Sequence, residues 1–385
     1  MDILSNFGLW GAGWTGWIIP FLFALSVVVF FHELGHFLVA RWCGVRVLTF
    51  SVGFGPELFG FTDRHGTRWK IAAIPLGGYV KFFGDENAAS VPDQAAASAM
   101  TAEERRHSFF HQPVAKRAAI VVAGPVANFI LAIVIFATIF TLYGEHTTVA
   151  RVDEVQADSA AAAAGFRAGD IVLSIDGRSI ASFSDMQRIV SANADRALQF
   201  EINRGGVPTT LVATPTLKRG KDGFGNSTCH AVLGVRGSPT PQDVKSEAMD
   251  PLSAVWLGAR KSWFIIDRTF SFIGGLFAGR ECIDQLGGPI RIAQISGQVA
   301  TLGFVPILNL VAMLSVSIGL LNLFPVPLLD GGHLLFYAIE VVRGRPLSER
   351  AQELGFRVGL GIVLLLMIFT TFNDTIQVWA RFWAS

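Results

Sequence analysis

Four stretches of this 385-residue chain are long enough and apolar enough to cross a bilayer, and they constrain every fold open to it. Inside hydrocarbon a backbone must satisfy its own hydrogen bonds, so each stretch has to be a helix. Residues 18–40 hold no basic residue and only Glu33 as an acid. At 1.5 Å per residue they make about 35 Å of helix against about 30 Å of hydrocarbon. Residues 118–142 and 304–329 carry no charge, and 354–372 carries Arg357 alone. The stretch 252–279 is apolar too, but Arg260, Lys261, Asp267 and Arg268 interrupt it, which predicts an amphipathic interfacial helix. Charged residues make up 16% of the chain, below the roughly 25% of soluble domains, and this excludes an ordinary soluble protein. With 31 basic and 30 acidic residues there is no basic excess of the kind nucleic-acid binders show. Cys43, Cys229 and Cys282 are too few for a disulfide framework or a cysteine-only zinc site.

Orientation follows from basic residues near the span ends. Residues 1–17 contain no Lys or Arg, whereas 41–117 contain ten, and Arg343, Arg345 and Arg350 lie between the third and fourth spans. The segments 41–117 and 330–353 are therefore expected in the cytoplasm, with both termini on the other side. Without a basic n-region, the first span is expected to stay in the mature protein. About 160 residues of soluble composition separate spans two and three and must then be extracytoplasmic. Their Cys229 and Cys282 could pair under oxidising conditions. No repeat of 20–50 residues recurs, which weakens a transporter reading.

The first span contains His32-Glu33-Leu34-Gly35-His36. Positions i and i+4 lie on one helical face, so two imidazoles can converge on one metal with the glutamate beside it. Chance would supply this pattern roughly 0.006 times in a chain of this composition, and ionisable groups at membrane depth mark function by default. The bland alternative is a polar cluster that glues helices together. Two histidines leave zinc one protein ligand short. A candidate follows the third span, in Asn322-Leu-Phe-Pro325-Val-Pro327-Leu-Leu-Asp330-Gly331-Gly332-His333. The two prolines break the helix, and open backbone at membrane depth is tolerated only where it lines a cavity. Asp330 and His333 are both capable ligands, and spacing leans towards Asp330 as a ligand over a cap for the next helix. In the second span, Gly124-Pro125 is a kink that admits close helix approach. Asn128 either bonds the substrate backbone or an oxyanion, or makes an interhelical bond.

These segments together resemble the site-2 protease family, zinc metalloproteases of the M50 type, and within it the bacterial regulator-of-sigma-E protease branch. The resemblance rests on HELGH, on Arg117-Ala-Ala-Ile-Val-Val-Ala-Gly-Pro-Val-Ala-Asn128-Phe, and on Asn322-Leu-Phe-Pro-Val-Pro-Leu-Leu-Asp-Gly-Gly. Phe50-Ser-Val-Gly-Phe-Gly-Pro56, Pro75-Leu-Gly-Gly-Tyr-Val-Lys81 and Gly288-Pro-Ile-Arg-Ile extend it over most of the chain. It implies that Asp330 is the third Zn²⁺ ligand with His32 and His36, and that His333 is not. It also implies Glu33 as general base, with Asn128 and Asn322 serving the site or the substrate.

Residues 45–83 read as β-rich: Val45–Val52 and Thr67–Ile74 are β-branched and aromatic, bounded by glycines and prolines. They are either a surface hairpin or, as the resemblance implies, a strand that offers its edge to an extended substrate, with Gly78 and Tyr79 in contact. Strand addition would hold unwound a chain whose helical form shields its peptide bonds. Residues 84–107 read as a linker or short helices. The run from Ser159 through Gly169-Asp170 to Asp176-Gly177 looks like a PDZ domain of the bacterial protease type. Helix 184–194 and strands 197–203 and 208–214 would complete it, and Leu233-Gly234-Val235 resembles its carboxylate-binding strand.

The expected architecture is thus a multi-pass α-helical membrane protein of four transmembrane helices, with a cytoplasmic-side membrane-associated β-hairpin and one extracytoplasmic PDZ domain. Its segments are 1–45 (first span), 46–117 (β-rich loop and linker), 118–145 (second span) and 146–238 (PDZ). Then come 239–303 (amphipathic helices), 304–340 (third span) and 341–385 (loop and fourth span). The expected activity is intramembrane cleavage of single-span membrane proteins in the bacterial inner membrane, with zinc polarising the scissile carbonyl and Glu33 activating the attacking water. Anti-sigma factors or remnant signal peptides are the implied substrates; lipid is a partner, nucleic acid is not, and no oligomeric state is fixed. The competing functions are a catalytically silent membrane PDZ adaptor and a metal transporter.

Overall fold

The computed structural model describes residues 14–84, 100–180, 182–221, 227–237, 244–247, 249–279 and 286–384. In chain order, helix α1 (Trp14–Trp42) leads into strands β1 (Val47–Thr62) and β2 (Arg68–Phe82), then helices α2 (Ala102–His107) and α3 (Val114–Tyr143). Next come β3 (Glu145–Thr148), β4 (Glu154–Val155), α4 (Ala160–Ala164), β5 (Ile171–Ile175), β6 (Arg178–Ser179) and α5 (Phe183–Ser191). Strands β7 (Leu198–Arg204), β8 (Val207–Ala213), β9 (Thr216–Lys221), β10 (Ser227–Val232), β11 (Val235–Arg236) and β12 (Val244–Glu247) follow. The chain ends in α6 (Pro251–Phe277), α7 (Pro289–Thr301), α8 (Phe304–Asn322), α9 (Asp330–Arg343) and α10 (Glu349–Ala384).

Among the described residues, four helices are long and apolar enough to cross a membrane: Gly16–Trp42, Val114–Tyr143, Phe304–Asn322 and Arg350–Trp379. Two bounds differ from expectation. The third span stops at Asn322 rather than 329, because Pro325 and Pro327 cannot continue a helix. The last helix runs well past 354–372 at both ends, since polar residues at helix termini are met by water. The stretch expected to lie at the interface is the 27-residue helix α6, opened by Asp250, whose carboxylate accepts the Ser253 N–H at 3.0 Å.

One compact unit comprises 1–136, 258–266 and 288–374. Within it α1 and α3 approach until no side chain fits between them: a Cβ at Gly35 would overlap the Ala123 carbonyl and lie 2.8 Å from Ala127 Cβ. Strands β1 and β2 form an antiparallel hairpin about twice as long as the expected strands. Gly53 (φ +93°), Gly55 (φ +88°) and Gly77 (φ +134°) take left-handed backbone there, making bulges that shift the register where the sequence reads as breaks. Phe50 stacks on Trp69 with centroids 4.3 Å apart, and Phe37 of α1 meets both rings. These rings join Val80, Phe82, Phe109, Ile120 and Tyr337 in one buried cluster. Asp63 in the hairpin turn accepts hydrogen bonds from Arg41 Nη1 at 3.2 Å and from Trp69 Nε1 at 3.3 Å, tying the turn to the end of α1.

The other unit comprises 137–257, 267–287 and 375–385. Its centre is a four-stranded sheet of order β6-β5-β7-β8 over a core of Val172, Ile175, Phe200, Ile202, Met186 and Phe166. Helix α4 is closed by Ser159, whose hydroxyl accepts the Ala162 N–H, and by Gly165 at φ +83°. Asp170, only 1% exposed, is held by Arg204 through two 2.8 Å hydrogen bonds and by the Arg167 N–H at 2.8 Å. Burial raises this carboxyl, but the Arg204 hydrogen bonds, the Arg167 amide and both guanidinium charges more than offset that, leaving it below the ordinary carboxylate range. Leu233 is in the core, Gly234 (φ +87°) lies against Ser159, and Val235 pairs with Val155. The Leu233 and Gly234 carbonyls accept the Ala161 and Gln156 N–H groups, so these carbonyls serve the fold itself. The pairing considered for Cys229 and Cys282 falls on side chains outside the described residues.

Candidate active site

His32 and His36 sit one turn apart on α1, and Asp330 opens α9 just past the broken end of α8. Their free atoms meet: Nε2 of His36 is 3.3 Å from Nε2 of His32, and Asp330 Oδ2 is 3.2 and 3.5 Å from the two. A tetrahedral zinc with bonds of about 2.05 Å has ligand atoms about 3.3 Å apart, so this triangle has the size of one face of such a site.

The protonation pattern points the same way. His36 Nδ1 donates to the Ile120 carbonyl at 2.9 Å, which leaves the lone pair on Nε2. Beside His32 Nδ1, at 3.2 Å, lies the Asn128 amide, whose Oδ1 is buried without a partner. With the amide's two ends exchanged, Nδ1–H gains a carbonyl acceptor and the His32 lone pair lies on Nε2 as well. Asp330 Oδ2 is itself buried without a hydrogen-bond donor. Three lone pairs thus converge on one point, an arrangement that a cation would satisfy. These three residues form a group able to hold a metal. Space for both rings is made by Gly124 on α3: a Cβ there would overlap His36 Nε2 and lie 2.9 Å from His32 Cε1.

Before this cluster lies a cavity of about 550 Å³ lined by Glu33, Gly78, Tyr79, Asn322, Leu328 and His333 among others. Gly78 lets β2 pass beside the acid: a Cβ there would be 3.1 Å from Glu33 Cγ and 2.8 Å from Val29. Asn322 Nδ2 is 3.4 Å from His32 Nε2, in the cavity. Of the two readings of Asn128, the structure has an interhelical contact: the residue is fully buried and its amide stands behind His32, beside Nδ1. His333 lines the cavity, outside the three-atom cluster.

The loop that presents Asp330 is strained and tightly closed. Leu328 has φ +102°, a conformation costing a leucine of order 1–3 kcal/mol. Gly331 and Gly332 allow it to fold back, since Cβ atoms there would overlap the Phe324 carbonyl and lie 2.5 Å from Pro327 Cα. At the far end of α9, Glu340 accepts from Arg117 Nη2 at 2.7 Å, and the same guanidinium lies 4.8 Å from the Tyr337 ring. Sequence reading missed this brace, the Ile120 carbonyl and the fit of Gly35. Backbone acceptors and close approaches leave no trace in residue type, although a histidine ligand always calls for an acceptor behind it.

Two histidines and an aspartate able to hold a metal, with a glutamate facing the adjoining cavity, are what a hydrolytic metal centre needs, in a chain with helices long and apolar enough to cross a membrane. The family model for peptidase family M50 matches residues 20–366. A protein of Agrobacterium fabrum whose name assigns it provisionally to the zinc metalloproteases is 51% identical over 360 residues, 94% of this chain and 96% of its own. Metalloprotease MmpA of Caulobacter vibrioides is 42% identical over 93% of this chain and 94% of its own. Regulator of sigma-E protease RseP of Salmonella typhimurium is 34% identical over 93% and 98%. The chain belongs to peptidase family M50 and is a zinc metalloprotease.

Proposed function

We propose that this enzyme is an intramembrane endopeptidase of the bacterial inner membrane that cleaves single-span membrane proteins. His32, His36 and Asp330 would hold the zinc, and the size and lone-pair pattern of their triangle carry that assignment. Zinc bound there supplies Lewis acidity for hydrolysis of a peptide bond. Glu33, adjacent to His32 and open to the cavity, takes the proton of the attacking water on its carboxylate and passes it to the leaving amide nitrogen. The β2 segment at Gly78 and Tyr79 pairs with an unwound substrate and keeps its scissile bond extended. Asn322 bonds the substrate from the other wall, while Asn128 holds the His32 tautomer. His333 remains outside the metal set.

The unit around the β6-β5-β7-β8 sheet reads as a PDZ-type domain, supported by that sheet and the capped helices α4 and α5, and Leu233, Gly234 and Val235 would be its peptide-facing strand. The basic residues of 41–117 and 343–350 support a cytoplasmic opening of the site, with this unit and both termini in the periplasm. Anti-sigma factors and remnant signal peptides fit the substrate class.

The test is Glu33→Gln in the full-length enzyme, reconstituted with a single-span substrate. Cleavage should fall roughly 10²–10⁴-fold with zinc content unchanged. Undiminished cleavage would overturn the general-base assignment.

A further inference from the structure

Of the four long helices, α10 is the least embedded, with 6% of its apolar window buried. At one turn, however, it approaches the loop before Asp330 more closely than any side chain allows. Gly355 and Gly359 are four residues apart and share a face. A Cβ at Gly359 would overlap the Pro327 carbonyl oxygen and lie 2.6 Å from its carbon and 3.0 Å from Pro327 Cβ. A Cβ at Gly355 would be 2.9 Å from the tip of the Phe336 ring, which can swing aside. Between them Phe356 meets His333 at 5.4 Å and Phe336 at 5.7 Å, ring to ring. Gly361, two residues further, faces open space. Pro327 is therefore clasped between Gly332 on one side and Gly359 on the other, immediately before the left-handed Leu328.

A strained turn persists only when its surroundings over-determine it. The loop's own hydrogen bonds are short-range, Val326 N–H to Phe324 at 2.7 Å and Leu329 N–H to Val326 at 3.0 Å. These close local turns and leave the loop's position relative to α1 open. We propose that Gly359 is a positioning residue for the metal: α10 seats Pro327, and that seat fixes the Leu328 turn which delivers Asp330 to His32 and His36. The inference rests on Asp330 being a zinc ligand.

The experiment measures zinc affinity of full-length protein by chelator competition, alongside kcat and KM. Gly359→Ala should weaken zinc binding 10–100-fold and lower kcat with little change in KM, because it shifts a ligand rather than the cleft. Gly361→Ala, which meets nothing and favours helix, should match the wild type. Asp330→Ala separates the two claims. Unchanged zinc affinity in that variant would remove the ligand assignment. Loss there, with wild-type affinity in Gly359→Ala, would overturn the positioning role alone. Should Gly359→Ala not fold, hydrogen exchange on the wild type decides. Chelation should raise exchange in Leu323–Leu329 and in 355–360 while 370–374 stays protected, and equal exchange with and without chelator overturns the proposal.

Discussion

His32 and His36 can both offer Nε2 to one point because the other nitrogen of each ring is already engaged. For His36 the partner is the Ile120 carbonyl, and for His32 it is Asn128. An alanine at 128 would leave His32 free to carry its proton on either nitrogen. We expect Asn128→Ala to weaken zinc binding or slow cleavage 10–100-fold, measured by chelator competition and substrate turnover. An undisturbed affinity and rate would mean that Asn128 is only a packing group. In the unit around the four-stranded sheet, Asp170 binds its proton less tightly folded than unfolded, so it stabilises the fold above the unfolded carboxyl value of about 3.9. That contribution is lost as pH falls through and below this value. Protection of β5 and β7 against hydrogen exchange should therefore fall progressively as pH drops below about 5, and Asp170→Asn should flatten this dependence. The same substitution should cost about 2 kcal/mol at pH 7, since Arg204 keeps its access to water.

At the scale of elements, the hairpin works by being bent. Its inner part pairs Phe50 with Val80 and Val52 with Gly78 beside Glu33, while its outer part pairs Phe59 with Ile71 and Phe61 with Trp69. Gly53, between them, has φ +93° and no room for a Cβ, which would be 2.8 Å from the Ile74 carbonyl. Gly53→Ala should then lower cleavage at least 10-fold without altering zinc content, by moving the β2 edge relative to Glu33. Zinc lost along with activity would show that the hairpin supports the metal instead. The same glycines explain what sequence alone could reveal. The spans were legible because about 20 apolar residues have one solution in lipid. The hairpin's length was not, because Gly53-Phe-Gly-Pro56 and Pro75-Leu-Gly-Gly78 read as stops but fold as bulges within continuous pairing. HELGH was legible because its spacing is local. For Asp330 the spacing left a capping role open and the family resemblance pointed to a ligand; the loop geometry agrees with that, since Oδ2 turns toward His32 and His36 and Leu329 occupies the N-cap position.

On the scale of the whole molecule, the proposed metal ligands lie far apart in the sequence, two on α1 and one on α9. A cation that bonds all three therefore links segments that are otherwise held by packing, by the Arg117–Glu340 bridge and by the α10 seat. Anything that binds only the folded state stabilises it by mass action, about 4 kcal/mol at a free concentration 1,000 times its dissociation constant. Full-length enzyme should accordingly unfold at a higher temperature with zinc than after chelation, and readdition should restore the difference. Asp330→Ala should abolish most of that shift while Glu33→Gln keeps it, because one removes a bond to the metal and the other only a proton acceptor. A zinc-dependent shift of equal size in all three proteins would place the stabilising ion elsewhere and detach the triangle of His32, His36 and Asp330 from metal binding.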